Sequence, residues 1–583
     1  MADDLRALRD SAIRKAAAEL ERQGFTASQD GWVGTIEVGD HEKVPVVVKL
    51  SEKLPDALPE IRLATRASLG RRVPHVEDNG KICIAPSSGV LIDSSNVEGI
   101  IVQSLERART TIQKGLSGAN AGDFRREFLA YWDPVADLLV FSICKQLAAS
   151  RQITRAIIQG GVGFPDRWML FVDDQQALEQ FVTRIQAQLL KRQGAFLVSF
   201  QEAFEPPDFQ EVLNARWLTG KLNQHAFLEA ERGFREWLAA QVLPITVLVS
   251  FPLETSQGRV LIGVLIPRSA GEARRRALQG FRENRIPADY EMGFILDQPI
   301  KRLRVTRFDP AYLLTRGGAE PELQKKTVAL IGCGAIGSHL AGHLVSLGMG
   351  EVRLVDNENF ETENLHRHYL GLGSFGSKKA EALSCELEKR YATVKASYEA
   401  KDIESVLTEN PEFVTKVDLL IFATGEETLE LRMNQLLHGL VPRVHVWLEP
   451  LGMGGHVLAV GMRGKVPGCF RCLYEAEPLA NAAALLEQNQ NFQRSYAGCS
   501  GTFNPFTELD ADRAALEAAR IVVEILTNKL SESLLVSWCV DREPAEKAGL
   551  RLSKRGKSFT SGERQRVTDF VRRDCPVCAQ KST

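Results

Sequence analysis

Apolar positions along the chain fall into three patterned stretches. In the first, Asp3–Gln23 carries apolar residues at helical spacing, Trp32–Val38 and Val44–Leu50 alternate as strands do, and Leu54–Leu63 is an extended segment bearing Pro55 and Pro59. Helical spacing returns at Val97–Lys114 and Phe124–Trp132. The second stretch has strand-sized runs at Trp168–Val172, Ala195–Phe200, Ile245–Phe251 and Val260–Ile266. Helices are expected there over Gln176–Leu190 and His225–Gln241, with a loop over the Ala/Gly/Arg-rich Arg268–Arg276. In the third, short apolar runs at Thr327–Ile331, Val352–Val355 and Val417–Phe422 alternate with helical patterns. The pattern predicts an α/β protein of three domains: an α+β domain over 1–150, an α+β linker or scaffold domain over 151–305, and a Rossmann-like domain over 306–583.

Thr327–Ile331 runs directly into Gly332-Cys-Gly334-Ala-Ile-Gly337, where a helix with Ile336, Leu340, Leu344 and Leu347 on one face begins. Gly348 and Gly350 end that helix, and Asp356 closes the next strand. In such a βαβ unit the first glycine permits a tight turn, the second lets backbone approach a phosphate, and the third lets helix and strand pack closely. Asp356 stands 19 residues beyond Gly337, the spacing of a carboxylate that binds a ribose hydroxyl. Gly332, Gly334, Gly337 and Asp356 are therefore assigned to a nucleotide, which at this point fits NAD as well as ATP.

Composition narrows the function classes. With 44% hydrophobic residues, 25% charged and a net charge of −2, the chain gives no reason to expect a nucleic-acid or membrane partner. Its longest apolar runs are strand-sized, and MADDLRALRD reads as a polar helix start rather than a signal peptide. Ten cysteines in 583 residues make no disulfide framework, so the expected compartment is a reducing cytoplasm.

The placement of the cysteines carries chemistry. Cys469-Phe-Arg-Cys472 and Cys575-Pro-Val-Cys578 are two knuckles, each offering two thiolates, and together they make a tetrahedral structural Zn2+ site. Cys499 lies on a glycine-bounded loop ahead of a helix expected near Glu508, where an exposed thiol can act as a nucleophile. Cys83 follows the turn Asp78-Asn79-Gly80 in a short apolar segment, Val73-Pro74-His75-Val-Glu-Asp-Asn-Gly80-Lys-Ile-Cys83. Cys144, Cys333, Cys385 and Cys539 read as packing residues, as do His339 and His343, which share a helix face but lack a third ligand.

The order helix, strands, proline-bearing segment, Pro-His, Asn-Gly turn, Ile-Cys, helices resembles the ubiquitin-conjugating (UBC, E2-like) fold over about 130 residues. Aligned on Gly80 and Cys83, His75 stands where that family keeps its oxyanion-supporting asparagine, and an imidazole N–H can donate in the same way. Residues 306–583 resemble the ThiF/MoeB/ubiquitin-activating (E1-like) adenylation family, through the glycine turn, Asp356, Asn364-Leu-His-Arg367 and Gly376-Ser-Lys-Lys379. The resemblance implies ATP with Mg2+, Asp356 on the ribose, and Asn364, Arg367 and Lys379 on the phosphates, where cationic clamps are what the leaving pyrophosphate needs. Where the family keeps a magnesium aspartate this chain has Gly425, followed by Glu426 and Glu427, and a neighbouring glutamate is expected to supply the ligand.

Fused activating–conjugating proteins of this layout resemble those of bacterial antiphage operons, including the CBASS fusion that conjugates the C-terminus of a cGAS-like nucleotidyltransferase. The resemblance implies a protein substrate with a glycine-like C-terminal tail, either such a nucleotidyltransferase or a ubiquitin-like protein. It implies an acyl-adenylate, a thioester on Cys499, transthiolation to Cys83 and transfer to a target amine. A homodimer and a JAB-type peptidase in the same operon are further implications. Two alternatives stand beside it: a MoeB/ThiF-type adenylase that activates a sulfur carrier, and a non-catalytic UBC-like scaffold fused to an adenylase.

Overall fold

The structure, a computed structural model, describes residues 2–579 apart from 40–41, 66–68, 86–89, 209–210, 242, 254–257, 268–278, 280–287, 392–393, 463–467, 476–479 and 496–501. The loop expected over Arg268–Arg276 and the candidate nucleophile Cys499 lie outside the described residues. The chain divides into two compact units, Met1–Phe308 and Asp309–Thr583.

The first unit opens with helix α1 (Ala2–Arg22) and a four-stranded antiparallel meander, β1 (Thr26–Ser28), β2 (Gly31–Val38), β3 (Glu42–Lys49) and β4 (Glu60–Leu63). Alternation in β3 sends Val44, Val46 and Val48 inward against Ala12, Ala16 and Leu20 of α1 and Ile101, Ala108 and Ile112 of α2 (Val97–Ser117). Where one helix is expected over Phe124–Trp132, the chain forms two short ones, α3 (Asp123–Arg126) and α4 (Phe128–Trp132), broken at Glu127 with φ −108° and ψ 24°.

The remainder of this unit is a closed seven-stranded barrel of β5 (Leu138–Ser142), β6 (Arg151–Gln159), β7 (Arg167–Val172), β8 (Gln188–Ser199), β9 (Ile245–Pro252), β10 (Arg259–Ile266) and β11 (Lys301–Arg307), in the order β10-β11-β5-β7-β6-β8-β9. The runs at 168–172, 195–200, 245–251 and 260–266 all appear as strands. The helix expected over Gln176–Leu190 stops at Arg184, because Leu189 and Leu190 belong to β8. The one expected over His225–Gln241 is two helices, α6 (Ala215–His225) and α7 (Leu228–Ala239), after α5 (Gln175–Arg184). β5 places residues 138–142 in the barrel.

The second unit is an eight-stranded sheet flanked by helices. Its parallel part is β12 (Thr327–Ile331), β13 (Glu351–Val355), β14 (Lys395–Glu399), β15 (Leu419–Phe422) and β16 (Arg443–Leu448). Antiparallel β17 (Gly454–Val460), β18 (Leu534–Cys539) and β19 (Arg564–Val567) complete the order β14-β13-β12-β15-β16-β17-β18-β19. α8 (Ala335–Ser346), α9 (Lys379–Arg390) and α11 (Glu508–Leu526) supply apolar faces to one core that includes Leu340, Leu344, Leu383, Ala518 and Val522. α10 (Glu427–Leu436) supplies Met433 to a second. The chain crosses β12 outward through β13 and β14, then returns to place β15 on its other flank. That reversal opens a crevice at the carboxyl ends of β12 and β15, where open α/β sheets bind ligands. Among the described residues no helix is long and apolar enough to cross a membrane.

Candidate functional site

The crevice in the second unit is a cleft of about 310 Å³. Gly332, Gly334 and Asp356 line it together with Glu358, Lys401, Glu404, Thr424, Glu426 and Arg432. Gly332 has φ 91°, and a Cβ there would meet the Ala423 carbonyl oxygen at 2.7 Å. A Cβ on Gly337 would lie 1.9 Å from the Gly332 carbonyl oxygen, so α8 starts this close to the strand only because that position is glycine. The backbone of the turn is thereby left facing the cleft.

Asp356 is tied to the turn it serves. Its Oδ2 accepts the Cys333 N–H at 2.7 Å and its Oδ1 accepts the Glu358 N–H at 2.8 Å. Burial pushes the Asp356 carboxyl up, and these two donors pull it back. The turn is braced from behind by His368, whose Nε2–H donates to the Cys333 carbonyl at 2.7 Å while its Nδ1 accepts the Leu370 N–H at 3.0 Å. Burial lowers the His368 pKa to about 4, so this imidazole is neutral at physiological pH.

The three residues expected on the phosphates have other partners here. Asn364 Oδ1 accepts the Glu361 N–H at 2.9 Å in a reciprocal cap of a short 3₁₀ turn. The Arg367 guanidinium stacks over Phe506, 4.8 Å from the ring centroid. Lys379 is buried, with Nζ 2.5 Å from Oε2 of Glu358, the cleft residue through which it reaches the site. Of the two glutamates beside Gly425, Glu426 lines the cleft, while Glu427 Oε1 accepts from the Tyr474 hydroxyl and the Asn481 amide. Gly425 has φ 69°, a left-handed turn position that favours glycine over a chiral side chain.

Arg432, which the sequence places behind Ala423–Thr428 together with Asn434, lines this cleft and pairs with Glu404, whereas Lys401 and Glu404 were not singled out in the sequence. The position of a polar cluster just after the third parallel strand is the signal that would have found those two. Behind the cleft, the Thr424 hydroxyl donates to Glu430 Oε1 at 2.6 Å. Glu430 Oε2 in turn lies 2.7 Å from Nδ1 of the buried His445, which is stacked between Phe422 and Phe470.

Cys469, Cys472, Cys575 and Cys578 are all buried and converge, with sulfur atoms at 3.9, 3.6 and 3.4 Å along three edges and all within 4.8 Å of one another. A tetrahedron of thiolates around zinc at about 2.3 Å has edges of about 3.8 Å, so the donor set and spacing fit that ion. Cys385, expected in the core, is exposed on α9, while Cys144, Cys333 and Cys539 are buried. His343 Nε2 lies 2.6 Å from Asp512 of α11, and His339 lies 3.6 Å from the same carboxylate, so both pack one helix against another.

In the first unit Cys83 is exposed, with its thiol 3.4 Å from the Ala85 carbonyl and its N–H donated to the His75 carbonyl at 2.8 Å. Desolvation raises its thiol pKa, and the Glu127 carboxylate raises it further. His75 sits at φ 63° and gives its backbone N–H to the Tyr131 hydroxyl at 2.7 Å. Its ring is clamped: Nε2 lies 3.0 Å from Asp123 Oδ2 and Nδ1 lies 3.0 Å from Glu127 Oε2. The oxyanion-donor role expected of His75 thus competes with two carboxylates that no reading of the local sequence brought to it.

Comparison with known proteins matches the ThiF family over residues 314–538 and the prokaryotic E2 family B over residues 12–141. The chain is 23% identical over 593 aligned positions to the ATP-dependent ubiquitin transferase-like protein Cap2 of Pseudomonas aeruginosa, covering 97% of this chain and 99% of that protein. A Vibrio cholerae protein of the same name is 29% identical over 42% of each chain. The adenylyltransferase and sulfurtransferase UBA4 of Saccharomyces cerevisiae is 24% identical over 40% of this chain and 50% of its own. Among solved structures, E. coli MccB with ATP overlaps 53% of this chain and 76% of its own at 17% identity and a TM-score of 0.33, too loose a match to carry an argument.

Proposed function

We propose that this chain, an enzyme joining a prokaryotic E2 domain to a ThiF-family E1-like domain in one polypeptide, activates the C-terminal carboxylate of a protein with ATP and passes it through Cys499 and Cys83 to a target amine. The observation that carries the reading is the pairing, in one chain, of a glycine-turn cleft at a sheet switch point with an exposed thiol in an E2-family domain. ATP lies in the cleft of the second unit, with its ribose on Asp356 and its phosphates along the turn. Lys379, Arg367 and Asn364 release their resting partners to meet the phosphates, and Glu426 offers the hard oxygen that Mg2+ requires. The substrate carboxylate attacks the α-phosphate and pyrophosphate leaves. The Cys499 thiolate then takes the acyl group and AMP leaves. Exchange with Cys83 conserves the thioester, and the amine takes the acyl group as an amide.

The substrate is a protein with a glycine-like tail, either a cGAS-like nucleotidyltransferase or a ubiquitin-like protein. The setting is a cytoplasmic antiphage system with a JAB-type peptidase, and the enzyme works as a homodimer. With ATP and the tailed protein encoded beside it, Cys499→Ala loses both thioesters and the conjugate. Cys83→Ala retains a DTT-sensitive adduct on Cys499 but makes no conjugate. Conjugate formed by Cys83→Ala refutes the relay. Sulfur-carrier adenylation, favoured by the likeness to UBA4, leaves residues 12–141 without a task.

A further inference from the structure

Behind the wall of the cleft runs a polar chain where apolar side chains would have closed the core at less cost. Glu430, on the first turn of α10, is 3% exposed, and His445, on β16, is fully buried. A carboxylate in that place is unfavourable unless its oxygens are filled, and both of these are. Oε1 accepts the Thr424 hydroxyl at 2.6 Å, and Oε2 lies 2.7 Å from His445 Nδ1. A carboxylate only accepts, so the ring proton sits on Nδ1. The imidazole is fixed between two rings. Phe422, its register partner on β15, stacks on it at 5.0 Å and 9°, and Phe470, inside the first cysteine knuckle, at 4.4 Å and 16°. The Phe470 N–H is in turn held by Asn434 Oδ1 at 3.0 Å.

The other end of this chain reaches the cleft. A hydroxyl has one proton, and Thr424 gives its own to Glu430, so its oxygen is left to accept the Glu426 N–H at 3.1 Å. That bond closes the turn from Thr424 to Glu426, in which Gly425 sits at φ 69°. Glu426 then starts α10 as its N-cap residue, yet among the described residues its side chain makes no capping bond and lines the cleft instead. Without Glu430 the Thr424 hydroxyl is free to rotate its proton toward the Glu426 N–H, and the turn loses its closing bond.

We propose that Glu430, held by His445, is a positioning residue: it orients the Thr424 hydroxyl, and through it the turn that presents the Glu426 carboxylate, so that the cleft takes Mg2+ together with ATP. The inference rests on the reading of the cleft as the ATP site with Glu426 as its metal ligand. Mg2+ tolerates little error in ligand position, because it demands near-octahedral oxygens at about 2.0–2.1 Å. A carboxylate carried on a loose turn meets that demand only part of the time. An apolar residue in place of Glu430 fills the space but cannot direct the hydroxyl, which gives the buried acid its use.

The test uses the full chain. ATP affinity is measured by calorimetric titration in Mg2+-free buffer and at saturating Mg2+, and the ratio of the two dissociation constants is the Mg2+ response. Glu430→Ala is expected to reduce that response about 10-fold, as loss of a group that orients a metal ligand does, while affinity without Mg2+ stays within about twofold. Glu430→Gln restores it, because an amide oxygen still accepts from Thr424 and the amide nitrogen donates to the other tautomer of His445. His445→Phe keeps the ring stack, removes the bond to Glu430 and gives a smaller loss of the same kind. It decides the matter if Glu430→Ala fails to fold, which melting temperature and metal content report. A wild-type Mg2+ response in either folded variant, an equal loss of affinity with and without Mg2+, or a loss shared by Glu430→Gln overturns the proposal. A wild-type chain that binds no ATP, or binds it equally with and without Mg2+, overturns the reading beneath it instead, as does a Mg2+ response undiminished by Glu426→Gln.

Discussion

The backbone amide of Cys333, inside the glycine turn, donates to Asp356 Oδ2 at 2.7 Å, so the carboxylate that ends one strand holds the turn that follows another. Asp356 therefore shapes the turn, and the ribose contact proposed for it would fall on the same carboxylate. Asp356→Ala should weaken ATP about 10- to 100-fold, the equivalent of one lost charge-assisted hydrogen bond. Calorimetric titration with ATP checks this, and unchanged affinity would remove Asp356 from the site.

His368 makes the same turn sensitive to acid. Its folded pKa is depressed from 6.5 to about 4, so the native state binds fewer protons than the unfolded chain between those values. The stability it contributes is complete above pH 6.5 and is lost as pH falls through about 4, a loss on the order of 3 kcal/mol. Denaturant unfolding of the wild type and of His368→Gln at pH 7 and pH 4.5 should show a smaller acid loss in the variant.

The four converged thiols predict about one zinc per chain by elemental analysis. Cys472→Ser should abolish it and lower the melting temperature, because metal affinity is part of the folding free energy. A well-folded, metal-free wild type would refute the site.

Glu426 and Glu427 differ in what their carboxylates face, although they are neighbours in the chain. Glu426→Gln should raise the Mg2+ concentration needed for half-maximal ATP–pyrophosphate exchange several-fold. Glu427→Gln should leave it unchanged, since that carboxylate accepts from Tyr474 and Asn481 instead. Equal effects would place the metal elsewhere.

Phe128 joins the E2-like part of the first unit to the barrel core. Phe128→Ala should cost about 3–5 kcal/mol of stability. Hydrogen exchange should report the loss in the segment from Asp123 to Trp132 as well as in the strands it packs on. Loosening confined to the barrel would contradict the anchoring described here.

How much of this was legible in the chain depends on the span of each interaction. The β12–turn–α8–β13 unit, the turn before Cys83 and the two cysteine knuckles were all readable. Periodicity and glycine placement are properties of residues a few positions apart, and the knuckles each close within four residues. Even there, an unbroken helix through Glu127 was a reasonable reading of Phe124–Trp132. It failed because Phe128 and Trp132 bury themselves in barrel residues 70 or more positions away.

By itself the sequence determined which segments could be strands and helices, where a backbone could meet a phosphate, and which thiols come in pairs. Only the tertiary structure decided what the polar side chains do. It occupied Asn364, Arg367 and Lys379 with partners inside their own unit, separated the tasks of Glu426 and Glu427, and clamped His75 between Asp123 and Glu127, the first 48 positions away. The reason is physical. A strand or a turn is selected by local sterics and by the burial of one face, which neighbours encode. A charged side chain takes the partner that packing brings within about 3 Å, and that partner is set by loop closure and core formation across the whole unit.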